Sequence, residues 1–467
     1  MAASLGNAMP TIGGGGPLAA AWRDPKRYAW LFGLLVPLLP LVAWGLSALT
    51  RLRLFWFAGP LIVFAVIPLL DLAFGPDAKN PPEAVLAALE EDRYYRWCTY
   101  AYIPLQYAGL VLACWVWGRG GLSPVDKIGL TLTVGCVGGI AINTAHELGH
   151  KRVGSERWLS KIALAQSGYG HFFVEHNRGH HVRVATPEDP ASARYGEGFY
   201  RFWLRSVAGS FVSSCELERN RLKLMKRSFW TWKNDVLNAW AMTAALYAAL
   251  VLAFGRAIVP YLLAQAVIGF SLLEVVNYLE HYGLLRQRGG DGRHERCLPS
   301  HSWNSNHVVS NLFLYHLQRH SDHHANPTRR YQALRTFDQA PNLPSGYATM
   351  ILVALVPPLW RRVMDGRVEA HYGGDMARAN LQARHARDGS GAATAVMGAR
   401  GSHAAARDPS RSAHRFRCPG CGYVYDEHVG HAREGFAPGT RWSSVPDGWH
   451  CPDCGVRDKV DFVAIGA

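Results

Sequence analysis

The 467-residue chain holds 49 Lys and Arg against 35 Asp and Glu, a formal net charge of +14, and 49% of its residues are hydrophobic. A mean hydropathy of -0.04 excludes a uniformly apolar protein, yet the apolar residues are gathered into long runs, which excludes an ordinary soluble domain as well. The basic excess accompanies no nucleic-acid-binding motif, and attraction to anionic lipid headgroups accounts for it.

In chain order, residues 1–27 contain a GGGG run and no signal-type cleavage pattern, and are expected to form a mobile tail. Apolar runs follow at about 28–49, 54–74, 97–118, 125–146, 235–254 and 258–280, each near the roughly 20 residues that cross a bilayer. Pro37, Pro40, Pro60, Pro68 and Pro104 lie inside these runs, where neighbouring helices can satisfy the freed carbonyls. Six crossings put both termini on one side. The stretch from Lys151 to Lys233 is crowded with Lys and Arg, whereas the turns near Arg119 and Arg256 are short and nearly free of them. The long stretch and both termini are therefore expected on the cytoplasmic side of the membrane. Arg51 and Arg53, facing outward, run against that rule.

Nine histidines fall into four clusters around these runs. His146 and His150 stand in HELGH, His176, His180 and His181 in HNRGHH, His281 after the sixth run, and His320, His323 and His324 in HSDHH. On a helix, residues four apart share a face, so both imidazoles of HELGH can point at one ion. HNRGHH and HSDHH are expected to repeat that geometry with one extra histidine each. A single zinc takes about four ligands, so nine convergent histidines oversupply one ion and two are expected. Imidazole suits iron, copper, nickel and zinc, and a dinuclear iron site is the leading reading. HExxH alone is also a zinc-protease signature, but such an enzyme has no use for the other clusters. His171, His301, His307 and His316 lack paired spacing and are read as structural.

The strings NTAHELGHK, GHFFVEHNRGHH, NYLEHYGLLRQ, SWNSNH and LQRHSDHHA resemble the membrane alkane 1-monooxygenase family, within the wider histidine-rich di-iron group that includes fatty-acid desaturases. The similarity covers about residues 25–375. It implies two irons carried by the nine histidines, activating O2 to hydroxylate the terminal methyl group of a medium- or long-chain alkane. A desaturase of the same group is the alternative, as is a membrane zinc protease with a zinc ribbon. Carboxylates near the histidines, Glu147, Glu175, Asp189, Glu280 and Asp322, are candidates to orient the rings through their free N–H groups. An alkane offers no polar handle, so its binding must come from burial in an apolar tunnel, at about 0.8 kcal/mol per CH2. Trp56, Val63 and Leu69 are candidate lining residues.

Residues 374–413, rich in Ala, Gly, Ser and Arg, read as a flexible linker. Beyond it, CPGCGYVYDE and CPDCG supply Cys418, Cys421, Cys451 and Cys454, two CxxC knuckles able to close a four-sulfur site for zinc or a single iron. With GFAPGT and VPDGWHCPDCG, they resemble rubredoxin across 415–467, which implies one iron and an electron-carrying role, with Tyr423, Trp449 and Phe462 as aromatic core. Trp442 and His450 are given no role. Cys98, Cys114, Cys136, Cys215 and Cys297 have no paired spacing and read as free thiols. The resemblance also implies an NAD(P)H-dependent flavoprotein reductase as partner, since no GxGxxG dinucleotide unit is present. A linker of about 40 residues spans roughly 35 Å and holds its domain at an effective concentration on the order of millimolar. From Arg415 onward six basic residues face seven acidic ones, so the membrane part carries the whole positive excess.

The expected architecture is an α-helical integral membrane protein with six transmembrane helices and a cytoplasmic metal-binding cap, followed by a small rubredoxin-like domain with short β-strands and metal knuckles. Its expected parts are a tail (1–27), a di-iron hydroxylase domain (28–373), a linker (374–413) and an electron-transfer domain (414–467).

Overall fold

In the computed structural model, which describes residues 22–290, 292–382 and 414–465, six helices are long and apolar enough to cross a membrane. They are Ala29–Thr50, Arg53–Phe74, Arg93–Gly118, Pro124–Gly149, Asp235–Phe254 and Arg256–His281. Each overlaps an expected run, and polar caps set where some of them begin. Asp92 accepts from the amide of Tyr94 at 2.9 Å and starts the third span ahead of its apolar stretch. Ser123 and Asp126 form a reciprocal capping box at the start of the fourth.

The fourth span is the axis of the bundle. In its most apolar window 83% of residues are buried, against 17% to 44% in the other five. Small residues let its neighbours close in: a Cβ on Gly135 would lie 2.5 Å from Ile268 Cγ2, and one on Gly139 2.8 Å from Leu272 Cβ, both on the sixth span. From the second span, the Gly59 amide donates to Thr133 Oγ1 at 2.9 Å, and that hydroxyl donates to the Trp56 carbonyl at 2.7 Å. The outer spans expose Leu49, Leu72, Phe74 and Leu252, as a lipid-facing surface requires.

At one end of the bundle Trp117 packs on Tyr261, ring centroids 5.1 Å apart, beside short turns. The opposite end carries a cap that includes the long helix Phe199–Leu224 and the shorter helices Val308–Phe313, His320–Ala325, Tyr347–Ala354 and Pro357–His371. Buried polar groups knit cap to bundle. Asp71, near the end of the second span, accepts from the Ser310 amide at 2.9 Å and its hydroxyl at 2.5 Å. The Arg319 guanidinium, almost fully buried, donates to the carbonyls of Leu334, Lys79 and Asp77 at 2.7, 3.0 and 3.2 Å.

Two expected boundaries shift. Residues 22–27 are packed and not a free tail: Asp24 accepts from Trp30 Nε1 and the Tyr95 hydroxyl, both at 2.9 Å, and Lys26 pairs with Asp77 at 2.8 Å. The remainder of that tail, residues 1–21, lies outside the described residues. The expected linker also starts late. The Tyr195 amide donates to the Asn380 carbonyl at 2.7 Å, the Asn380 amide donates to Gly283 at 3.1 Å, and Ala379, Asn380 and Gln382 are buried. Backbone pairing of this kind leaves no apolar periodicity to read. Residues 383–413 lie outside the described residues.

The C-terminal domain is built on a three-stranded antiparallel sheet of order β2-β1-β3, with β1 Arg415–Arg417, β2 Val424–Asp426 and β3 Val463–Ile465. Phe416, Tyr425, Phe436, Trp442, Val445 and Trp449 form its core, with Tyr423 and Phe462 packed against it. Trp442 does have a role: it stacks on Phe416 with centroids 4.6 Å apart and 10° between planes. His450 hydrogen-bonds Asp458 through Nδ1 at 2.6 Å.

Candidate metal centres

The fourth span brings His146 in its last turn and His150 at its C-cap, and the sixth ends on His281. The short helix His320–Ala325 brings His320, His323 and His324. His176 and His180 stand on a π-helical turn, Glu175–His180, and His181 follows it. The nine side chains, all buried, assemble into two groups. His146, His150, His176, His181 and His323 form one, and His180, His281, His320 and His324 the other, each with ring nitrogens within 4.8 Å of one another.

The grouping differs from simple spacing-of-four pairing. His146 and His150 share a group, as do His320 and His324, but His176 joins His181 and not His180. A π-turn closes i→i+5 hydrogen bonds, so it stacks residues five apart. His323 likewise leaves its helix-mates for the first group.

Metal ions fit these groups chemically. Nε2 atoms face one another at 2.8 Å (His146 and His323), 3.0 Å (His181 with His176 and with His323), 2.8 Å (His320 and His324) and 3.3 Å (His281 and His320). Nε2 of His150 and of His180 is buried without a hydrogen-bond partner, an arrangement that is costly unless something binds there. Burial, reinforced by neighbouring imidazoles, pushes His150, His176, His181, His320, His323 and His324 well below the ordinary histidine range. They stay neutral, the form that ligates metal.

Of the five carboxylates, two meet an imidazole. Asp189 Oδ2 accepts from His180 Nδ1 at 2.9 Å and from the Ser192 hydroxyl at 2.6 Å. Burial opposes its charge, but His180 and Ser192 prevail and hold its carboxyl down to about 2. Glu280 Oε2 lies 3.2 Å from His320 Nε2, and its other oxygen accepts from the Tyr347 hydroxyl at 3.1 Å. The other three engage cations instead: Glu147 pairs with Lys151 at 3.0 Å, Glu175 with Arg183 at 2.7 Å, and Asp322 with Arg329 at 2.7 Å. Each is next to a histidine in sequence, and on a helix adjacent side chains do not face each other. An orienting group that sequence reasoning missed is the His301 carbonyl, which accepts from His281 Nδ1 at 3.1 Å; a backbone acceptor leaves no residue signature.

The four isolated histidines lie outside both groups. His316 donates to the Tyr331 carbonyl at 3.0 Å, His307 shares a hydrogen bond with Ser305 at 2.9 Å, His301 sits 3.3 Å from Glu295, and His171 stacks against Trp240.

An apolar cavity abuts the histidines. Val63 and Ile67 of the second span, Ile140 of the fourth and Leu272 and Val276 of the sixth line it, and His146, His176 and His320 stand at its polar end with Glu280. Among the three expected lining residues only Val63 does so. Trp56 is packed in a separate cluster with Leu110 and Tyr261, and Leu69 is 66% exposed.

In the C-terminal domain the sulfurs of Cys418, Cys421, Cys451 and Cys454 lie within 4.8 Å of one another, a pocket for one tetrahedral ion. The other five cysteines are free. The domain sits on the cap beside the histidines. Arg152 pairs with Asp453 at 2.8 Å and donates to the Cys421 carbonyl, Arg178 pairs with Glu434 at 3.1 Å, and Arg433 with Asp235 at 2.8 Å. Gly455, next to Cys454, rests on the histidine-bearing turn: a Cβ there would lie 3.0 Å from the Asn177 carbonyl and 3.6 Å from His181 Cβ.

Residues 127–354, which contain all nine histidines, match the family model described as fatty acid desaturase, and residues 415–462 match that described as rubredoxin. Over 364 residues the chain is 48% identical to an alkane 1-monooxygenase of Acinetobacter baylyi, covering 77% of this chain and 88% of that protein. The chain belongs to the alkane 1-monooxygenase family. An alkane 1-monooxygenase of Ectopseudomonas oleovorans is 46% identical over 363 residues, covering 78% of this chain and 90% of the relative. At greater distance, the hydroxylase component of a xylene/toluene monooxygenase from Pseudomonas putida is 27% identical over 245 residues, 52% of this chain and 65% of that protein. Within the alkane 1-monooxygenase family, this chain carries the rubredoxin match on the same polypeptide.

Proposed function

We propose that the chain inserts one atom of O2 into the terminal C–H bond of an alkane, with electrons drawn through its own rubredoxin domain. The balance is one alkane, one O2, two electrons and two protons giving one 1-alkanol and one water. The observation that carries this reading is the meeting of two all-histidine groups with the polar end of a cavity lined by membrane-span residues.

The donor sets support one iron held by His146, His150, His176, His181 and His323 and a second held by His180, His281, His320 and His324. The four cysteines would hold a third. When bound, the irons of the histidine site would supply the reductive activation of O2. The chain's own residues do the rest. Asp189 and the His301 carbonyl fix the rings of His180 and His281, since an acceptor on the far nitrogen sets both tautomer and orientation. Val63, Ile67, Leu272 and Val276 receive the hydrocarbon, each buried CH2 contributing about 0.8 kcal/mol, and keep water from the reacting carbon. Glu280, hydrogen-bonded by Tyr347, places a carboxyl at the histidine end of the cavity, where it can hold a proton.

Glu147 argues against the protease reading. The general base of an HExxH protease must face its substrate, whereas Glu147 is tied to Lys151 at 3.0 Å and to the Tyr331 amide at 3.3 Å. The Lys and Arg crowding between Lys151 and Lys233 supports placing the cap, the histidines and the rubredoxin domain on the cytoplasmic side of an inner membrane. There a soluble NAD(P)H-dependent flavoprotein reductase can reach the domain. Purified chain given such a reductase, NADH and a medium-chain alkane should yield 1-alkanol by mass spectrometry. An alkene product would favour a desaturase instead.

A further inference from the structure

The two knuckles of the four-cysteine site are used unequally. The knuckle Cys451–Cys454 faces the cap: Asp453 is paired with Arg152 at 2.8 Å, and Gly455 is buried against the Asn177 carbonyl and the side chain of His181. The knuckle Cys418–Cys421 meets the cap through Arg152, which donates to the Cys421 carbonyl, and turns its other side outward. Pro419, Gly420 and Gly422 are exposed, and a Cβ on Gly422 would find nothing within 4 Å. A surface of one proline and two glycines brings a partner as near the sulfurs as a protein surface allows, and electron transfer falls steeply with distance. The patch is also bordered by positive charge, for Arg457 packs alongside Gly420 and exposed Arg417 precedes Cys418.

Resting on the proposed hydroxylase reading, we infer that the docked domain is a through-relay: an acidic-faced flavoprotein donor seats on Pro419–Gly422 while Cys454–Gly455 stays on His181. Electrons then come in at one knuckle and leave at the other, and reduction does not require the domain to leave the cap. In each cycle the domain accepts one electron from the reduced flavin of the donor and gives one to the histidine site, returning to its oxidised form. Two cycles per alkanol oxidise the donor by two electrons, and the two protons come from solvent. The docked face could not serve both partners, since the cap already covers Gly455 and Asp453.

The test uses the full-length, iron-loaded chain and a flavoprotein rubredoxin reductase, following the visible absorbance of the four-cysteine iron by stopped flow with no alkane present. Arg178→Cys with Glu434→Cys, bridged by a short bis-maleimide, locks the domain in place, because the native side chains meet there at 3.1 Å. The oxidised-iron spectrum verifies that the locked site is intact. The relay predicts that the locked chain is reduced as fast as the unbridged one. It also predicts that Pro419→Glu slows reduction by the flavoprotein about tenfold through like-charge contact, while excess dithionite still reduces the four-cysteine iron completely. A locked chain reduced far more slowly than the unbridged one overturns the relay in favour of a domain that must swing out. Parent-rate reduction of Pro419→Glu by the flavoprotein overturns the assignment of the first knuckle. Failure of the hydroxylase reading is seen separately, as an absence of alkanol from dithionite-reduced parent chain given alkane and O2.

Discussion

Nε2 of His176 and Nε2 of His181 lie 3.0 Å apart across five residues of sequence, because the segment between them is wound as a π-helix. One extra residue in that turn sends His180 to the second group while its neighbours serve the first. His181→Ala and His324→Ala should therefore each remove about one iron per chain, from different groups, and each should abolish hydroxylation. Both variants should remain in the membrane, since the apolar spans and not the metals drive insertion. Elemental analysis and alkanol assays check the pair, and full iron with normal turnover in either refutes its role.

Asp189 is the carboxylate that orients His180. Asp189→Ala should lower metal affinity of the second group by about 10–100-fold, read as faster iron loss to a chelator. Asp189→Asn, which keeps an acceptor near Nδ1, should recover part of the difference.

Chain-length selection offers a contrast between two residues of one span. Val63→Trp projects into the cavity and should shift products towards shorter alkanes, whereas Leu69→Trp, at a position 66% exposed, should leave the product profile unchanged. Competition assays on mixed alkanes measure both.

The six spans and the assembly of nine histidines were legible in the sequence because both have strong local signatures: runs of about 20 apolar residues and imidazoles at short intervals. Division of the histidines between groups was not, since it depends on the π-turn at Glu175–His180. The orienting groups were legible only in part: Asp189 was among five candidate carboxylates and does hold the far nitrogen of His180, but proximity in sequence pointed equally to Glu147, which faces Lys151. Trp442 was passed over because a core position in so small a domain shows only once Phe416 stacks on it.

Seating of the rubredoxin domain should depend on salt and acid. Its ion pairs, Arg152 with Asp453 and Arg178 with Glu434, are only partly buried, so each is worth about 0–1 kcal/mol and is weakened by added salt. Burial opposes ionisation of Glu434, but Arg178, His431, Arg221 and Arg433 outweigh it and hold its carboxyl below the usual range. The share of that depression due to Arg178 and Arg221, which lie on the cap, favours docking above the carboxyl's free value of about 4.3, and that share is lost as pH falls through the docked value. Fluorescence energy transfer between labels on cap and domain should report looser seating in acid and high salt. Glu434→Gln should loosen seating at neutral pH and make it less sensitive to acid.

Cys421→Ser removes one of four thiolates, and electron delivery should fail while the histidine groups keep their iron. Added intact rubredoxin should restore turnover only at concentrations approaching the order of millimolar that a tether supplies. Full reductase-driven turnover without added carrier would mean that the C-terminal domain is not the donor.

The most direct single measurement supplies the iron-loaded full chain with a medium-chain alkane, reductase, NADH and 18O-labelled O2, and follows the label by mass spectrometry. One labelled oxygen in every 1-alkanol, with one NADH consumed per alcohol, is the predicted result. An unlabelled alcohol, or an alkene in its place, would contradict oxygen insertion at the histidine site.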